Sequence, residues 1–437
     1  MSRDLLHTPE GVRDIYAEEC ARRHRVQARL CESFHRYGYQ DIETPTLEFF
    51  DIFRKERGSV DTREMYKFFD RENNTLVLRP DMTPSIARCA AKYYMDEPGP
   101  IRLCYLASTF QNAPSYQGRL HEVTQTGAEL IGDDSADADA EMIAMVIDAL
   151  KAAGLTEFQI ELGQVEFFRG LLDEAGMDEE TQGELCDLIE NKNYFGVEEL
   201  LSGQTMPPAL KNAFLQLPQL FGDISRIRLA RSLTTNERAI RAIDRLERVQ
   251  EILDAYGVGD YVSYDLSMLS KYSYYTGIIF KAYTYGTGEY LGTGGRYDKL
   301  LIQFGKDAPA VGFAIVVDQL MLALSRQRIS ISIDRTDTMI LYDRDARFRA
   351  ISLAEQMRAH GRAVQLTRRR EMTPALDYLA YAVRQHFFTV IDLSARDGQI
   401  CYILDDGHFR AADFTELPPD IAAFLTENNE TKEDLTL

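Results

Sequence analysis

"STFQNAPSYQGRLHEVTQTGAELIG", residues 108–132, decides how the rest of the chain is read. A β-like run ends at Phe110, a polar loop follows, and a second β-like run carries Gln125 and Glu129. Two such runs joined by a loop fit an antiparallel pair and not a βαβ crossover. Gln125 and Glu129 stand four residues apart, which on a strand places both on one face. The loop contains one arginine, Arg119, and Gln111 stands where a phosphate-reading loop would want a second.

Working outward, residues 17–37 read as a helix, with Val26, Leu30, Phe34 and Tyr37 at helical spacing and Gly38 ending the run. "YQDIETPTLEFFDIF" reads as a short strand and a turn at Pro45. In "NNTLVLRPDMTPSIARCAAKYY" a strand over Leu76–Leu78 precedes a helix, with Thr83 expected as its N-cap and Pro84 in its first turn. Met142, Met145, Val146, Ala149 and Leu150 form one helical stripe ended by Gly154. From Tyr261 the β character returns, and the glycine-rich "GTGEYLGTGGRYDKLL" reads as a loop leading to a helix. These patterns predict an α+β chain: a mainly antiparallel sheet flanked by helices over 1–164 and 261–328, an acidic helical insertion over 165–260, a small α/β domain over 335–415, and an acidic tail over 416–437.

At 437 residues the chain exceeds one ordinary core, so two or three domains are expected. No tract of eighteen apolar residues occurs and the N-terminus is charged, which argues against a transmembrane helix and a secretory signal, and no membrane partner is expected. The six cysteines (20, 31, 89, 104, 186 and 401) include no C-x-x-C pair and read as scattered, without a His or Cys cluster, so neither a disulfide framework nor a structural zinc or other metal site is expected and the scatter fits a reducing cytoplasm. A net charge of −20 opposes phosphate neutralisation, so no nucleic-acid partner is expected. Arg368, Arg369 and Arg370 form the densest basic run, either a solvated strand end or a local basic patch.

Four stretches bring polar groups to strand ends: Arg79, Asp81 and Thr83 in "LRPDMT"; Gln125 and Glu129; Tyr274 and Tyr275 beside Thr276 and Gly277; and "GTGGRYD", where Gly294 and Gly295 let a ligand approach the backbone and Tyr297 follows. Together they would make a pocket of carboxylates, an amide and phenols suited to a small hydrogen-bond-donating cation, such as an ammonium or imidazole group. Each stretch also has a plainer reading: sheet packing for the tyrosines, a tight turn for the glycines, and a solvated face for Gln125 and Glu129.

The order of these stretches resembles histidyl-tRNA synthetase, a class II aminoacyl-tRNA synthetase, over residues 5–325. "TPEGVRD", "GYQDIETPTLE", "LRPDMT", "YYTGIIF", "GGRYDKLL" and "PAVGFAI" are similar to that family's motifs. The 335–415 alternation resembles its anticodon-binding domain. The resemblance implies a histidine site at Asp81, Thr83, Gln125, Glu129, Tyr274, Tyr275 and Tyr297. Three departures stand against it. Gln111, Asn112 and Ala113 replace the phosphate-gripping arginine motif, Ser270–Ser273 replaces R-G-L-D, and Val316, Val317, Asp318 and Gln319 replace G-L-E-R. Neutral side chains do not substitute for a bidentate guanidinium on phosphate. Lys271 and Arg119 survive nearby, at positions the family does not use.

A synthetase-like chain lacking this machinery resembles the regulatory subunits of ATP phosphoribosyltransferase. That resemblance implies no catalytic residues and no cofactor, a homodimer within a hetero-octamer, a short-form catalytic subunit as partner, and histidine as feedback effector. Whether histidine would act from the synthetase-like pocket or from the interface with the catalytic subunit stays open. So do a stand-alone histidine sensor, an active synthetase and a synthetase-like ligase.

Overall fold

The computed structural model describes residues 6–54, 60–112, 120–269, 274–333, 338–394, 400–405, 407–413, 416–417 and 421–422. The chain divides into two compact units, Met1–Ser332 and Ile333–Leu437. Among the described residues no helix is long and apolar enough to cross a membrane.

The first unit opens with α1 (Ala17–Arg36), with Glu18 and Glu19 in its first turn and His35 and Arg36 in its last, each sign matched to the helix dipole. Its buried stripe contains Val26, Leu30 and Phe34, as the periodicity predicts, and Gly38 beyond its end has φ +82°. β1 (Gln40–Asp41) follows. Next come β2 (Leu47–Phe49), β3 (Lys67–Phe69) and β4 (Thr75–Leu78), which form a small sheet in the order β2-β4-β3. α2 (Thr83–Tyr93) leads to the long antiparallel pair β5 (Ile101–Phe110) and β6 (Glu122–Ile131). α3 (Ala136–Ala153) is capped by the Ser135 hydroxyl and ended by Gly154 at φ 108°, and β7 (Gln159–Gln164) follows it.

The next stretch holds α4 (Val165–Ala175), α5 (Glu179–Glu190), α6 (Tyr194–Ser202) and α7 (Pro208–Gln216), then the short β8 (Phe221–Gly222), α8 (Ser225–Ser232) and α9 (Glu237–Ala255). β9 (Val262–Asp265), β10 (Ile278–Tyr283), β11 (Gly292–Arg296), β12 (Ala310–Val316) and α10 (Val317–Arg326) complete the unit.

The main sheet has nine strands in the order β1-β5-β6-β12-β11-β10-β7-β9-β8. Only the β1–β5 and β7–β9 pairs are parallel. Side chains alternate between its faces. Cys104, Ala128, Leu130, Val311 and Phe313 join the core of α1 and α3, with Phe34, Met142, Met145 and Leu150 fully or almost fully buried. Leu103, Tyr105, Ile131 and Ala310 pack instead with Met82, Ile86 and Ala90 of α2 and with Tyr274, Tyr275 and Tyr297.

Two local expectations are corrected. "GTGGR" is a strand within the sheet and not a loop: β11 lies between β12 and β10. Its glycines make room for rings, since a Cβ at Gly294 would lie 2.3 Å from Phe280 Cζ and one at Gly295 would lie 2.7 Å from Tyr275 Cε1. Thr83 is the first residue of α2 and not its cap, which is Met82 without a side-chain capping bond. Asp81 Oδ1 accepts from the Met82 and Thr83 amides instead, and that leaves the Thr83 hydroxyl for another partner.

The second unit alternates β13 (Thr338–Tyr342), α11 (Arg347–Ala359), β14 (Val364–Arg368), α12 (Ala375–Arg384) and β15 (Thr389–Asp392). β16 (Ile400–Asp405) and β17 (His408–Ala412) extend it, giving the order β14-β13-β15-β16-β17. Arg368 closes β14, and Arg369 ion-pairs with Asp392 at 3.5 Å, so this basic run is a strand end with one member already partnered.

The first unit is clamped by a buried ion network. Asp139 of α3 accepts from Arg296 at 2.7 Å and from Arg245 of α9 at 2.6 Å, and Asp139 and Arg296 are almost fully buried. Both arginines also donate to the Ser135 carbonyl, and Arg296 reaches the Asp133 carbonyl and Asp298. Removing one member leaves a buried charge poorly compensated. Asp139→Ala is expected to lower stability by about 3–5 kcal/mol, read as a lower urea midpoint with an unchanged slope; an unchanged midpoint would show that the network is not a clamp.

Candidate functional site

The residues brought together lie on the sheet face that α2 covers. β6 carries Gln125 and Glu129 on this face, the start of α2 supplies Asp81 and Thr83, and the segments beside β10 and β11 supply the tyrosines. Asp81, Thr83, Gln125, Tyr274, Tyr275 and Tyr297 line one pocket, together with Thr293, Gly312, Phe313 and Ala314.

Glu129 is bonded to two of the lining residues. It is 1% exposed, and its carboxylate accepts from Thr83 Oγ1 at 2.8 Å and from the Tyr297 hydroxyl in a shorter bond. Gly312 stands opposite it in the β6–β12 register, and a Cβ there would lie 1.5 Å from Glu129 Oε2, so only glycine leaves the carboxylate its place. Burial pushes the Glu129 carboxyl up to about 8, against the lowering pull of the Tyr297 and Thr83 hydrogen bonds, and the charge of Asp81 adds to the rise. Burial and the neighbouring carboxylates also raise the Tyr275 and Tyr297 phenols, keeping both as neutral donors.

The Tyr274 hydroxyl donates to Asp81 Oδ2 at 3.4 Å, and its ring meets those of Tyr275 and Tyr297 edge-on at centroid distances of 4.8 and 5.9 Å. Gln125 Oε1 is buried, with no hydrogen-bond partner among the described residues. The tyrosine segment is held from behind: Arg169 of α4 donates to the Tyr275 carbonyl at 3.2 Å, and the Thr276 amide donates to the Arg296 carbonyl at 2.7 Å.

All seven histidine-site candidates therefore meet: six line the pocket, and Glu129 is bonded to two of them. Arg79 does not join them. It is buried elsewhere, donating to the Thr44 carbonyl at 2.6 Å and the Ser108 carbonyl at 2.8 Å, and so braces β5 against the segment before β2. Thr293 and Gly312 were missed among the site residues. The signal for Gly312 was a glycine beside a pocket strand in "PAVGFAI".

Among the described residues, no arginine stands at positions 111, 112, 318 or 319. The Gln111 and Asn112 amides tie backbone to His121 and Glu64. Gln319 donates to Glu289 at 3.2 Å. Asp318 accepts from the buried Arg23 at 2.6 and 3.1 Å and from the Thr124 amide at 2.9 Å. Ala113, Arg119 and Ser270–Ser273, including Lys271, lie outside the described residues. Carboxyls, an amide oxygen and hydroxyls are groups with which a compact cation donating several hydrogen bonds would pair.

A family model described as histidyl-tRNA synthetase matches residues 11–320. An ATP phosphoribosyltransferase regulatory subunit of Acetivibrio thermocellus is 41% identical over 366 residues, 84% of this chain and 88% of that protein. One of Clostridium kluyveri is 37% identical over 375 residues, 85% of this chain and 96% of its own length. A crystal structure from Bacillus halodurans, described as an ATP phosphoribosyltransferase regulatory subunit/histidyl-tRNA synthetase, superposes with a TM-score of 0.81 at 34% identity, covering 90% of this chain and 99% of that one. Histidyl-tRNA synthetase of Nostoc sp. has the same fold, with a TM-score of 0.78 at 18% identity over 97% of this chain and 99% of that one. The chain belongs to the family of ATP phosphoribosyltransferase regulatory subunits, on a histidyl-tRNA synthetase-like fold.

Proposed function

We propose that this chain is a regulatory subunit with no adenylation activity of its own, which binds histidine through Asp81, Thr83, Gln125, Glu129, Tyr274, Tyr275 and Tyr297. It acts in the cytoplasm, as a homodimer within a hetero-octamer, with a short-form ATP phosphoribosyltransferase catalytic subunit. That subunit needs it for activity and is inhibited through it by histidine. The observation that carries this reading is a contrast in polar groups: carboxyl and hydroxyl side chains line the pocket, while positions 111, 112 and 319 carry amide side chains. The relatives' name supports the partnership. Inhibition requires histidine to bind two states of the assembly unequally, and about 1–3 kcal/mol of coupling gives a several-fold to hundred-fold effect.

Mixing the chain with a short-form catalytic subunit is expected to restore ATP phosphoribosyltransferase turnover that neither shows alone, with no histidine-dependent pyrophosphate exchange. Exchange activity in the chain alone would overturn the non-catalytic reading. Glu129→Ala combined with Tyr275→Ala removes a charged and a neutral hydrogen-bond partner, and calorimetry is expected to show histidine affinity falling by about 100-fold or more. Unchanged affinity would defeat the pocket assignment. Affinity lost with inhibition of the assembled complex intact would move the feedback site to the interface with the catalytic subunit.

Glu129 also sets a pH signature. Its folded-state value of about 8 exceeds the ordinary 4.5, so the folded chain binds the extra proton between these values and loses stability as pH rises through that window. A cationic ligand needs the carboxylate, so binding releases a proton below about 8 and tightens as pH rises toward it. Glu129→Gln is therefore expected to abolish the proton release and to raise Tm relative to the parent. The Tm difference should grow from mildly acid to mildly alkaline pH; a constant difference would show that Glu129 does not titrate in this range.

A further inference from the structure

On the other face of the sheet, away from the pocket, three side chains from separate elements converge. His35 lies in the last turn of α1, Asp41 is in β1, and Cys104 is in β5, directly beside Asp41 in the parallel register. Each offers one ligand atom, and the three atoms lie within 4.8 Å of one another. His35 Nε2 is 3.0 Å from Asp41 Oδ1, and Cys104 Sγ donates to the same oxygen at 3.5 Å. Cys31 stands one helical turn before His35, close enough for its charge to act on Cys104.

We propose that His35, Asp41 and Cys104 form a binding site for one divalent transition-metal ion of the zinc class, with Cys31 or water as the fourth ligand. One imidazole, one carboxylate and one thiolate are donors that zinc and cobalt accept, and the thiolate and imidazole favour these ions over magnesium or calcium. Zinc bond lengths imply donor separations of roughly 3.5 Å. Two of the pairs already lie near that value. The third closes by rotation of His35, whose side chain is 45% exposed, while the buried Cys104 stays fixed. Binding replaces the S–H bond of Cys104 with a metal–sulfur bond and releases the proton to solvent; the carboxylate and thiolate charges then balance the ion. Without metal the Cys104 thiol is pushed up to about 12 by burial and by Asp41, so it holds its proton and donates to that carboxylate. A bound ion would join the end of α1 to the edge strand β1 and to β5. The expectation of no metal site rested on the spacing of cysteines and histidines along the chain, which does not see Cys104 reach a carboxylate 63 residues away.

The test is a cobalt(II) titration of the untagged, reduced full-length chain after chelator treatment. The expected result is a thiolate-to-cobalt charge-transfer band that saturates at one equivalent and is displaced by zinc(II). Cys104→Ser should remove the band, and His35→Gln should weaken cobalt binding by about 10-fold or more. Cys20→Ser should leave the band intact, although Cys20 Sγ lies 3.8 Å from His24 Nε2. Absence of the band, or its loss in Cys20→Ser and survival in Cys104→Ser, would overturn the proposal. Should Cys104→Ser fail to fold, Asp41→Asn and His35→Gln decide, because both residues are exposed: unchanged cobalt affinity in the two would overturn the site.

Discussion

A carboxyl group buried in a β-sheet constrains everything around it, and Glu129 is that group here. Leaving it without hydrogen bonds would cost several kcal/mol, so donors must reach it from above the sheet. Thr83 and Tyr297 do so. To bring Thr83 there, α2 must begin beside the sheet, which is why its hydroxyl serves Glu129 and the Asp81 carboxylate takes the neighbouring amides. Gly312 completes the constraint by leaving room for the carboxylate over the neighbouring strand.

The sheet satisfies this demand by dividing its labour between two faces. One buries aliphatic side chains against α1 and α3, where most of the burial energy lies. The other gives up packing to polar groups. β11 links the two: Arg296 reaches through to Asp139 of α3, and the next residue, Tyr297, turns to Glu129. Consecutive side chains point to opposite faces. The buried ion network therefore fixes the height and register at which the phenol meets the carboxylate.

Much of this was legible from residue order alone. The 101–112 and 121–132 strands follow from alternation, the α1 and α3 stripes from helical spacing, and Gly154 from the left-handed residue that ends α3. Gln125 and Glu129 share a face of β6 because i, i+4 on a strand is a geometric fact. What failed were local rules overridden by tertiary demand. Thr83 has the chemistry of a cap but is claimed by Glu129. "GTGG" has turn composition but lies in a sheet that needs room for Phe280 and Tyr275. Arg79 belongs to a motif beside the pocket, yet its guanidinium satisfies two backbone carbonyls away from it. The convergence of His35, Asp41 and Cys104 was invisible because parallel strand pairing, and not sequence spacing, puts the last two side by side.

The arrangement of charge on the pocket face also limits what chemistry it can support. Stabilising a transferring phosphoryl group requires cationic donors aimed at its oxygens in a dry site. At positions 111, 112 and 319 the side chains are amides, and the buried guanidinium of Arg23 is held in both arms by Asp318. Freeing Arg23 would strand Asp318, whose side chain is only 10% exposed, so the pair is not a reserve of positive charge. An anion entering beside Asp81 would meet like charge and no fixed counter-charge from these positions, whereas an ammonium or imidazolium group would meet two carboxyls and several neutral acceptors. Under the proposed function the pocket holds a cationic amino acid without activating it, and such a pocket reports ligand concentration at equilibrium.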